Sequence, residues 1–483
     1  MDQRVTVGTA AGKVAGERRE DGSARFLGIP FAQAPVGGLR FAAPVPPEPW
    51  DGTRPATAYG PTAQRRPFGE VTTIPEPTIP GAEILNLNVF TPDPSASLPV
   101  LVWIHGGGFV AGCSASPWYD GSAFARDGVV LVSVGYRLGV EGFLHLADAP
   151  DNRGVLDWIA ALRWVRENIA NFGGDPSKVT IAGQSAGGGA VQTLMATPSA
   201  HGLFRAAISV SGAVMRPQSR AAGHAVAERF TRRTGVPATA AALRDVSDAR
   251  LLELQDALTA PEPGEPPKVE LLTAPFADGE LVPEPVPDAF ATGTAAAVPL
   301  LLGFTRHEFN MVAEKVVPDL PAELVGPSVA GLGLPASSVE GYLALHEGAR
   351  PVSVVGQALT DSLFREPSLA ITDRRAERGL PTWLYQFEWT APAGQAFHCL
   401  DLPFAFDLLR AEGVARVAGE DPPQPLADAV HGAWVAFVRD LDPGPGWPRY
   451  TPDRRATMVW DAAPRVVDGH LDAVRALWHP RVS

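Results

Sequence analysis

A serine between two glycines follows directly on an apolar run, and this junction limits the possible folds more than any other feature of the chain. Residues 178–182 read Lys-Val-Thr-Ile-Ala, and residues 183–187 read Gly-Gln-Ser-Ala-Gly. The first run predicts a buried strand, and a helix is predicted to begin at Ala186. A serine at such a junction needs a sharp, strained turn, for which the flanking glycines leave room. The pattern predicts that the Ser185 hydroxyl is exposed beside a helix N-terminus, which favours negative charge.

Apolar runs and helical periodicity alternate along the chain around this junction. Continuous apolar runs predict further buried strands at 100–104, 129–134, 203–210 and 298–304. Between 156 and 172 the apolar residues recur at the spacing of an amphipathic helix, which Gly173, Gly174 and Pro176 end. Strands that alternate with helices predict an α/β fold, with a mainly parallel central sheet and helices on both faces.

The chain of 483 residues has the length of about three average domains, but no linker divides it. We therefore expect a single domain over residues 1–483. The segment from about 217 to 275 is rich in alanine, arginine and acidic residues, and it is predicted to form a helical cap insertion over the sheet.

Charge and composition exclude several classes of partner. Lys and Arg total 40 against 53 Asp and Glu, a net charge of −13 without any basic run, so nucleic acid and anionic membranes are not expected partners. The N-terminus lacks the apolar core of a secretory signal, and no apolar stretch is long enough to span a bilayer. With only Cys113 and Cys399, a cytoplasmic protein with two reduced thiols is expected, and a monomer is favoured.

A second motif, His-Gly-Gly-Gly-Phe at 105–109, follows the predicted strand at 100–104. An acyl-transfer enzyme must hold an oxyanion with backbone N–H groups, and side chains would block that approach. A phosphate-binding loop is disfavoured because no Lys-Ser/Thr pair follows the glycines. Two such motifs in the expected order, each after a predicted strand, indicate acyl transfer by a serine nucleophile.

The acid and the base are less well defined by the residues themselves. In this fold they follow the serine in the order acid, then histidine. Glu308 lies just after the predicted strand at 298–304, where this type of fold places its chemistry, whereas Asp278 precedes Gly279 in a predicted turn. Chain order alone leaves six histidines as candidate bases: His307, His346, His398, His431, His470 and His479.

The motifs together resemble the type-B carboxylesterases, which include bacterial para-nitrobenzyl esterases and, more distantly, the cholinesterases. The resemblance covers nearly the whole chain, in the segments 26–32, 85–89, 105–109, 136–139, 162–176, 183–188, 208–212, 302–308, 397–398 with 402–404, and 434–437 with 447–448. It implies the α/β-hydrolase fold and no metal or organic cofactor. It also implies hydrolysis of carboxylic esters of small, mostly uncharged alcohols or phenols through an acyl-enzyme.

Site residues follow from the same resemblance. It implies Ser185 as nucleophile, Glu308 as acid and His398 as base. The implied oxyanion donors are the N–H groups of Gly107, Gly108 and Ala186.

The chain departs from its family beside the nucleophile. Gln184 stands where the family usually has glutamate, and the segment from 65 to 83 offers no tryptophan to stack a quaternary ammonium. Arg65 and Arg66 would repel such a cation if they lined the entrance. A cholinesterase-like cation site is therefore not expected.

Other departures concern structural pairs. The family cysteine that forms a disulfide is replaced by Ile84, so that bridge is not expected. The usual acidic partner of Arg40 is missing, and Glu83 is the expected substitute. Arg137 and Asp157 match a family ion pair and are expected to form a buried structural bridge.

Two other functions remain open from the sequence. One is a non-catalytic binding protein on the same scaffold, although such relatives have generally lost the serine. The other keeps the machinery but cleaves an amide, carbamate, lactone or polyester.

Overall fold

The computed structural model describes residues 4–67, 72–212, 219–261 and 271–479. Within these ranges thirteen strands form one sheet. They are β1 Arg4–Gly8, β2 Lys13–Arg18, β3 Ala24–Pro30, β4 Thr53–Pro55, β5 Asn86–Thr91, β6 Leu98–Ile104, β7 Val130–Val134, β8 Gly174–Gln184, β9 Ala206–Val210, β10 Leu300–Thr305, β11 Thr382–Phe387, β12 Ala456–Trp460 and β13 Arg465–Asp468.

The α-helices of the same ranges surround the sheet. They are α1 Ser122–Arg126, α2 Gly139–Phe143, α3 Arg153–Asn168, α4 Ala186–Met195, α5 Arg220–Thr234, α6 Ala240–Leu243, α7 Asp248–Thr259, α8 Val286–Thr292, α9 Asn310–Val316, α10 Val325–Gly331, α11 Val339–Leu345, α12 Pro351–Thr360, α13 Glu366–Glu377, α14 Leu402–Ala405, α15 Val414–Ala418, α16 Gln424–Asp440 and α17 Asp472–Trp478. A π-helical turn, Asp361–Arg365, joins α12 to α13. None of the helices described is long and apolar enough to cross a membrane.

The centre of the sheet is parallel, in the order β7-β6-β8-β9-β10-β11-β12. Antiparallel strands flank it on both sides, with β1, β2, β3 and β5 at one edge and β13 at the other. Parallel pairing places Ile104 opposite Gly183, and Gln184 opposite Val210. The carboxyl ends of β6, β8 and β9 therefore meet at one edge, and the predicted mainly parallel sheet is confirmed.

Alternate residues of β6 show why both faces of the sheet carry helices. Val100 and Val102 pack into one hydrophobic core with Trp158 of α3, whereas Leu101 packs into a second core with Trp434 of α16. A strand that is apolar on both faces must be covered on both. The predicted helix at 156–172 is confirmed as α3 and a following 3₁₀ turn, which Gly173 ends with a φ of 81°.

The predicted cap segment is helical where it is described. Helices α5, α6 and α7 pack their apolar sides against Phe41, Val140 and Leu144. Residues 217–218 and 262–270 of the predicted segment lie outside the described residues. Because one sheet links Arg4 to Asp468, we propose that residues 1–483 form one domain, with this segment as its cap.

The structure corrects the expected partner of Arg40. Its guanidinium binds Glu141 (Nε–Oε1, 2.7 Å) and Asp248 (Nη2–Oδ1, 2.8 Å). The prediction that Glu83 is the partner is wrong, because β4 brings Arg54 to the Glu83 carboxylate.

Arg137 and Asp157 form a fully buried bidentate pair, with Nη2–Oδ1 at 2.7 Å and Nε–Oδ2 at 2.9 Å. Replacing Asp157 by asparagine leaves the guanidinium without its counter-charge, so the free energy of unfolding should fall by about 3–5 kcal/mol. Asp440→Asn, which breaks the exposed pair with Arg439, is the matched control and should change it by about 1 kcal/mol or less. Urea unfolding of both variants measures the free energy of unfolding. Equal losses in the two variants would contradict the structural role of the Arg137–Asp157 pair.

Candidate active site

Ser185 occupies the turn between β8 and α4, with φ 58° and ψ −123°. A positive φ is strained for a residue with a Cβ. The turn is also too tight for side chains on either side of it. A Cβ on Gly183 would lie 2.3 Å from the Gly187 carbonyl oxygen, and one on Gly187 would lie 2.0 Å from the Ile104 carbonyl oxygen. The strand–turn–helix geometry predicted from the sequence is thus confirmed, and both glycines are sterically required.

The glycine loop after β6 runs directly beside this turn. A Cβ on Gly106 would lie 3.1 Å from the Ser185 Cβ, and Gly107 and Gly108 both have positive φ. In the described part of the chain, the N–H groups of Gly107, Gly108 and Ala186 donate no hydrogen bond. Two of these donors lie in the loop that runs beside Ser185, and the third is on the residue that follows it.

His105, the first residue of this loop, anchors it. Burial lowers the pKa of His105 to about 3, so the imidazole is neutral. Its Nδ1–H donates to the Gly106 carbonyl oxygen (2.8 Å), and its ring stacks on Tyr136 with centroids 4.4 Å apart. His105 is thus buried and held by its neighbours, and it supports the loop.

Glu308 and His398 meet on loops that follow β10 and β11. The Glu308 Oε2 lies 2.5 Å from the His398 Nδ1, and the His398 backbone N–H donates to the Glu308 carbonyl oxygen (3.1 Å). The other carboxylate oxygen of Glu308 accepts the Ser211 hydroxyl and the Thr305 N–H, both at 2.7 Å. Glu308 is only 2% exposed, so the position of its carboxylate and the orientation of the imidazole are fixed.

Asp278, the alternative acid, serves another purpose. Asp278 accepts the N–H groups of Glu280 (2.8 Å) and Val282 (3.1 Å), and its other oxygen binds the Asn152 side chain (2.7 Å). These bonds close a turn, as the sequence predicted.

The alternative bases also have other partners. His431 is buried between the Ala405 carbonyl oxygen (2.8 Å) and Asp127 (3.0 Å). The remaining candidates contact other groups: His307 the Ala396 N–H, His346 the Tyr342 ring, His470 Glu388, and His479 Glu366.

The second nitrogen of His398 has a partner that sequence reasoning did not find. The Gln184 amide nitrogen lies 3.1 Å from His398 Nε2 and 3.0 Å from the Cys399 Sγ. In neutral His398, Nδ1–H is donated to Glu308, so Nε2 carries the lone pair and accepts the amide hydrogen. Aromatic rings of Phe309 and Phe364 pack against the imidazole, each with centroids 5.0 Å apart. No sequence signal marks these tertiary contacts, whereas Ser211 falls in the family-like segment 208–212.

Burial and neighbouring groups act in opposite directions on His398. Burial alone would lower the pKa of His398, but the Cys399 side chain and the Glu308 carboxylate outweigh it and raise the pKa well above its ordinary value. Burial raises the pKa of the Cys399 thiol itself.

These residues open into a cavity of about 480 Å³. Ser185, Glu308, His398, Gly107 and Gly108 all line it, whereas Ala186 is fully buried behind Ser185. The rest of its wall is largely apolar, with Ile74, Cys113, Tyr119, Phe309, Met311, Val312, Phe397 and Cys399. Both cysteines are free and buried. No tryptophan lies on the part of this wall that the structure describes.

Charges near the cavity differ from the expected arrangement. Arg65 is buried behind Glu76 (Nε–Oε2, 3.3 Å), and it is Glu76, not Arg65, that lies on the wall. Arg66 is exposed and pairs with Asp256 (2.5 Å). Neither arginine lines the cavity, so the condition under which they would repel a cation at the entrance is not met. The exposed side chain of Lys315 contributes a positive charge to the part of the cavity wall that the structure describes.

Comparison with known proteins places this site in a family. The family model described as "Carboxylesterase family" matches residues 3–326 and 336–476. The chain is 37% identical to the para-nitrobenzyl esterase of Bacillus subtilis (strain 168), over 94% of this chain and 94% of that one. It is 33% identical to the phenmedipham hydrolase of Pseudarthrobacter oxydans, over 95% of each chain. A solved carboxylesterase of Geobacillus stearothermophilus superposes with a TM-score of 0.88 at 36% identity, over 99% of this chain and 100% of that one. The chain belongs to the carboxylesterase family.

Proposed function

We propose that this carboxylesterase hydrolyses esters of small, mostly uncharged alcohols or phenols, with Ser185 as nucleophile, His398 as base and Glu308 as acid. The observation that carries the proposal is the strained Ser185 turn, which shares one cavity with a Glu308–His398 pair at 2.5 Å. We further propose a cytoplasmic monomer that needs no metal or organic cofactor and keeps both buried cysteines reduced.

The first half of the reaction forms an acyl-enzyme. His398 Nε2 takes the Ser185 proton while Oγ bonds to the ester carbonyl carbon, and the negative charge moves to the carbonyl oxygen. The N–H groups of Gly107, Gly108 and Ala186 hold this oxyanion. The carbon–alkoxy bond then breaks, and the leaving alcohol takes the proton from His398.

The second half releases the acid. His398 deprotonates a water molecule that attacks the acyl carbon, and the proton returns to the Ser185 Oγ as the carboxylic acid leaves. Glu308 keeps Nδ1 protonated and stabilises the imidazolium, with Thr305 and Ser211 fixing the carboxylate. In neutral His398, the Gln184 amide donates a hydrogen bond to Nε2. The serine hydroxyl must therefore share or displace that hydrogen bond.

Activity is expected to fall as pH drops through a pKa above about 6.5, the ordinary value for histidine. The reason is that only neutral His398 can accept the serine proton, and its pKa is raised. The acid limb of kcat/KM for a neutral aryl butyrate measures this, since that parameter reports the free enzyme. An acid limb with a midpoint at or below about pH 6.5 would contradict a base with the raised pKa of His398.

Neutral esters should be cleaved much better than choline esters of the same acid. Gln184 is neutral, Lys315 is cationic, and the described wall offers no tryptophan. The Glu76 carboxylate on the wall is already paired with Arg65, so little on the wall favours a quaternary ammonium. The test compares kcat/KM for butyrylcholine and its carbon analogue, 3,3-dimethylbutyl butyrate. Gln184→Glu should narrow the difference in kcat/KM between the two esters by the equivalent of about 1 kcal/mol or less. The uncharged variant Gln184→Leu should not narrow it. A wild-type enzyme that preferred butyrylcholine would refute this proposal about the substrate.

A further inference from the structure

Helix α9, directly after Glu308, has one face fixed against the protein. A Cβ on Gly356 of α12 would lie 2.9 Å from the Asn310 Cα and 3.4 Å from the Ala313 Cβ. The Thr360 hydroxyl donates to the Asn310 side-chain oxygen (2.8 Å), and Glu314 pairs with Arg350. Because these contacts hold residues 310, 313 and 314 inward, the rotational position of α9 is fixed.

The opposite face of α9 runs from the cavity into solvent. Met311, Val312 and Lys315 line the cavity beside Ser185. Val316 follows Val312 by one helical turn and therefore continues the same face. Met311 belongs to the cavity wall and is nevertheless 42% exposed, and Val316 is 47% exposed. The apolar wall of the cavity thus extends outward along the helix.

Exposed apolar side chains are frequent in the stretch of chain that contains α9. Seven large apolar side chains in the described ranges are more than a third exposed, and four of them, Met311, Val316, Val317 and Leu324, fall between residues 311 and 324. Single exposed apolar residues need no explanation, but Met311 lies on the cavity wall and Val316 continues its helix face, so these two extend a binding cavity and indicate a contact surface. The methylenes of Lys315 can add to this surface while its amine stays in water.

We propose that the outer face of α9, formed by Met311, Val312 and Val316, binds the distal part of an alkyl chain of the ester substrate. The proposal rests on the proposed function of Ser185, because the chain reaches α9 from the ester group at that residue. A short chain ends inside the cavity, whereas a longer chain leaves it along this face and covers apolar surface that water otherwise contacts. The enzyme therefore favours esters with medium or long chains.

The test is a chain-length ratio. We compare kcat/KM for 4-nitrophenyl decanoate with that for the butyrate, below micelle-forming concentrations, in the wild type and in Val316→Ser. The ratio should exceed one in the wild type and fall by about threefold to tenfold in the variant. Val36→Ser, which changes an equally exposed valine that does not line the cavity, should leave the ratio at its wild-type value.

A second series varies the alcohol side of the ester instead of the acyl side. It compares kcat/KM for decyl butyrate with that for ethyl butyrate, measured by the release of acid. A loss confined to the 4-nitrophenyl series assigns the face to the acyl chain, and a loss confined to the alkyl butyrates assigns it to the alcohol. Unchanged ratios in both series would overturn the proposal. A wrong assignment of Ser185 as nucleophile can be distinguished from a wrong assignment of the α9 face. In the former case Ser185→Ala would keep its activity on all four esters.

Discussion

Replacement of Ser185 by alanine is expected to reduce ester turnover by about 10⁴- to 10⁶-fold, the loss seen when the nucleophile of a serine triad is removed. The variant keeps the strained turn, the glycine loop and the cavity, but it has no oxygen that can bond to the acyl carbon. Residual activity should come from the oxyanion donors and substrate binding alone. Steady-state kcat with a chromogenic butyrate measures the effect.

The control for this variant is Ser95→Ala, which removes an exposed hydroxyl bonded to Asp93 and should keep full activity. Both proteins are purified in the same way, so that contaminating esterases contribute equally. If Ser185→Ala kept more than a few per cent of wild-type kcat above that background, the assignment of the nucleophile would be wrong.

His398→Ala is expected to be as damaging as Ser185→Ala, because the triad works as a unit and the serine hydroxyl is a weak nucleophile without its base. His431→Ala is the matched control. The His431 side chain is more buried than that of His398, at 3% against 16% exposure, but it binds Ala405 and Asp127, so its loss should affect stability more than kcat. For the acid, Glu308→Gln should lower kcat far more than Asp278→Asn, which changes only a turn.

Circular dichroism establishes that each variant is folded before its kcat is compared. A folded His431→Ala protein without activity would overturn the choice of base. A folded Asp278→Asn protein with the larger kcat loss would overturn the choice of acid.

The predictability of the fold depended on how the strands are buried. Strands β6, β7 and β10 are continuous apolar runs, and the sequence located them to within about two residues. Strand β11 was missed although all six of its residues are buried, because its threonine, tyrosine and glutamine interrupt the apolar run. The short strands β1 and β2 were missed because they lie half-exposed at the edge.

The same contrast applies to the site. Ser185 is marked by a local motif, because strand, turn and helix are contiguous in the chain. The Glu308–His398 pair is not local, since residues 90 positions apart meet only when β10 pairs with β11, Thr305 opposite Phe387. Chain order therefore left six histidines open, and family resemblance was needed to choose among them. The Gln184 contact with His398 depends on both loops and had no sequence signal.

The most direct test of the central claim is covalent labelling with diethyl 4-nitrophenyl phosphate, whose phosphorus bonds to an activated serine oxygen as 4-nitrophenol leaves. We expect one equivalent of 4-nitrophenol, complete loss of esterase activity, and one diethylphosphoryl group on the peptide that contains Ser185. Ser185→Ala should take up no label. Inactivation with the label on another residue of the cavity, such as Tyr119 or Cys113, would contradict the account.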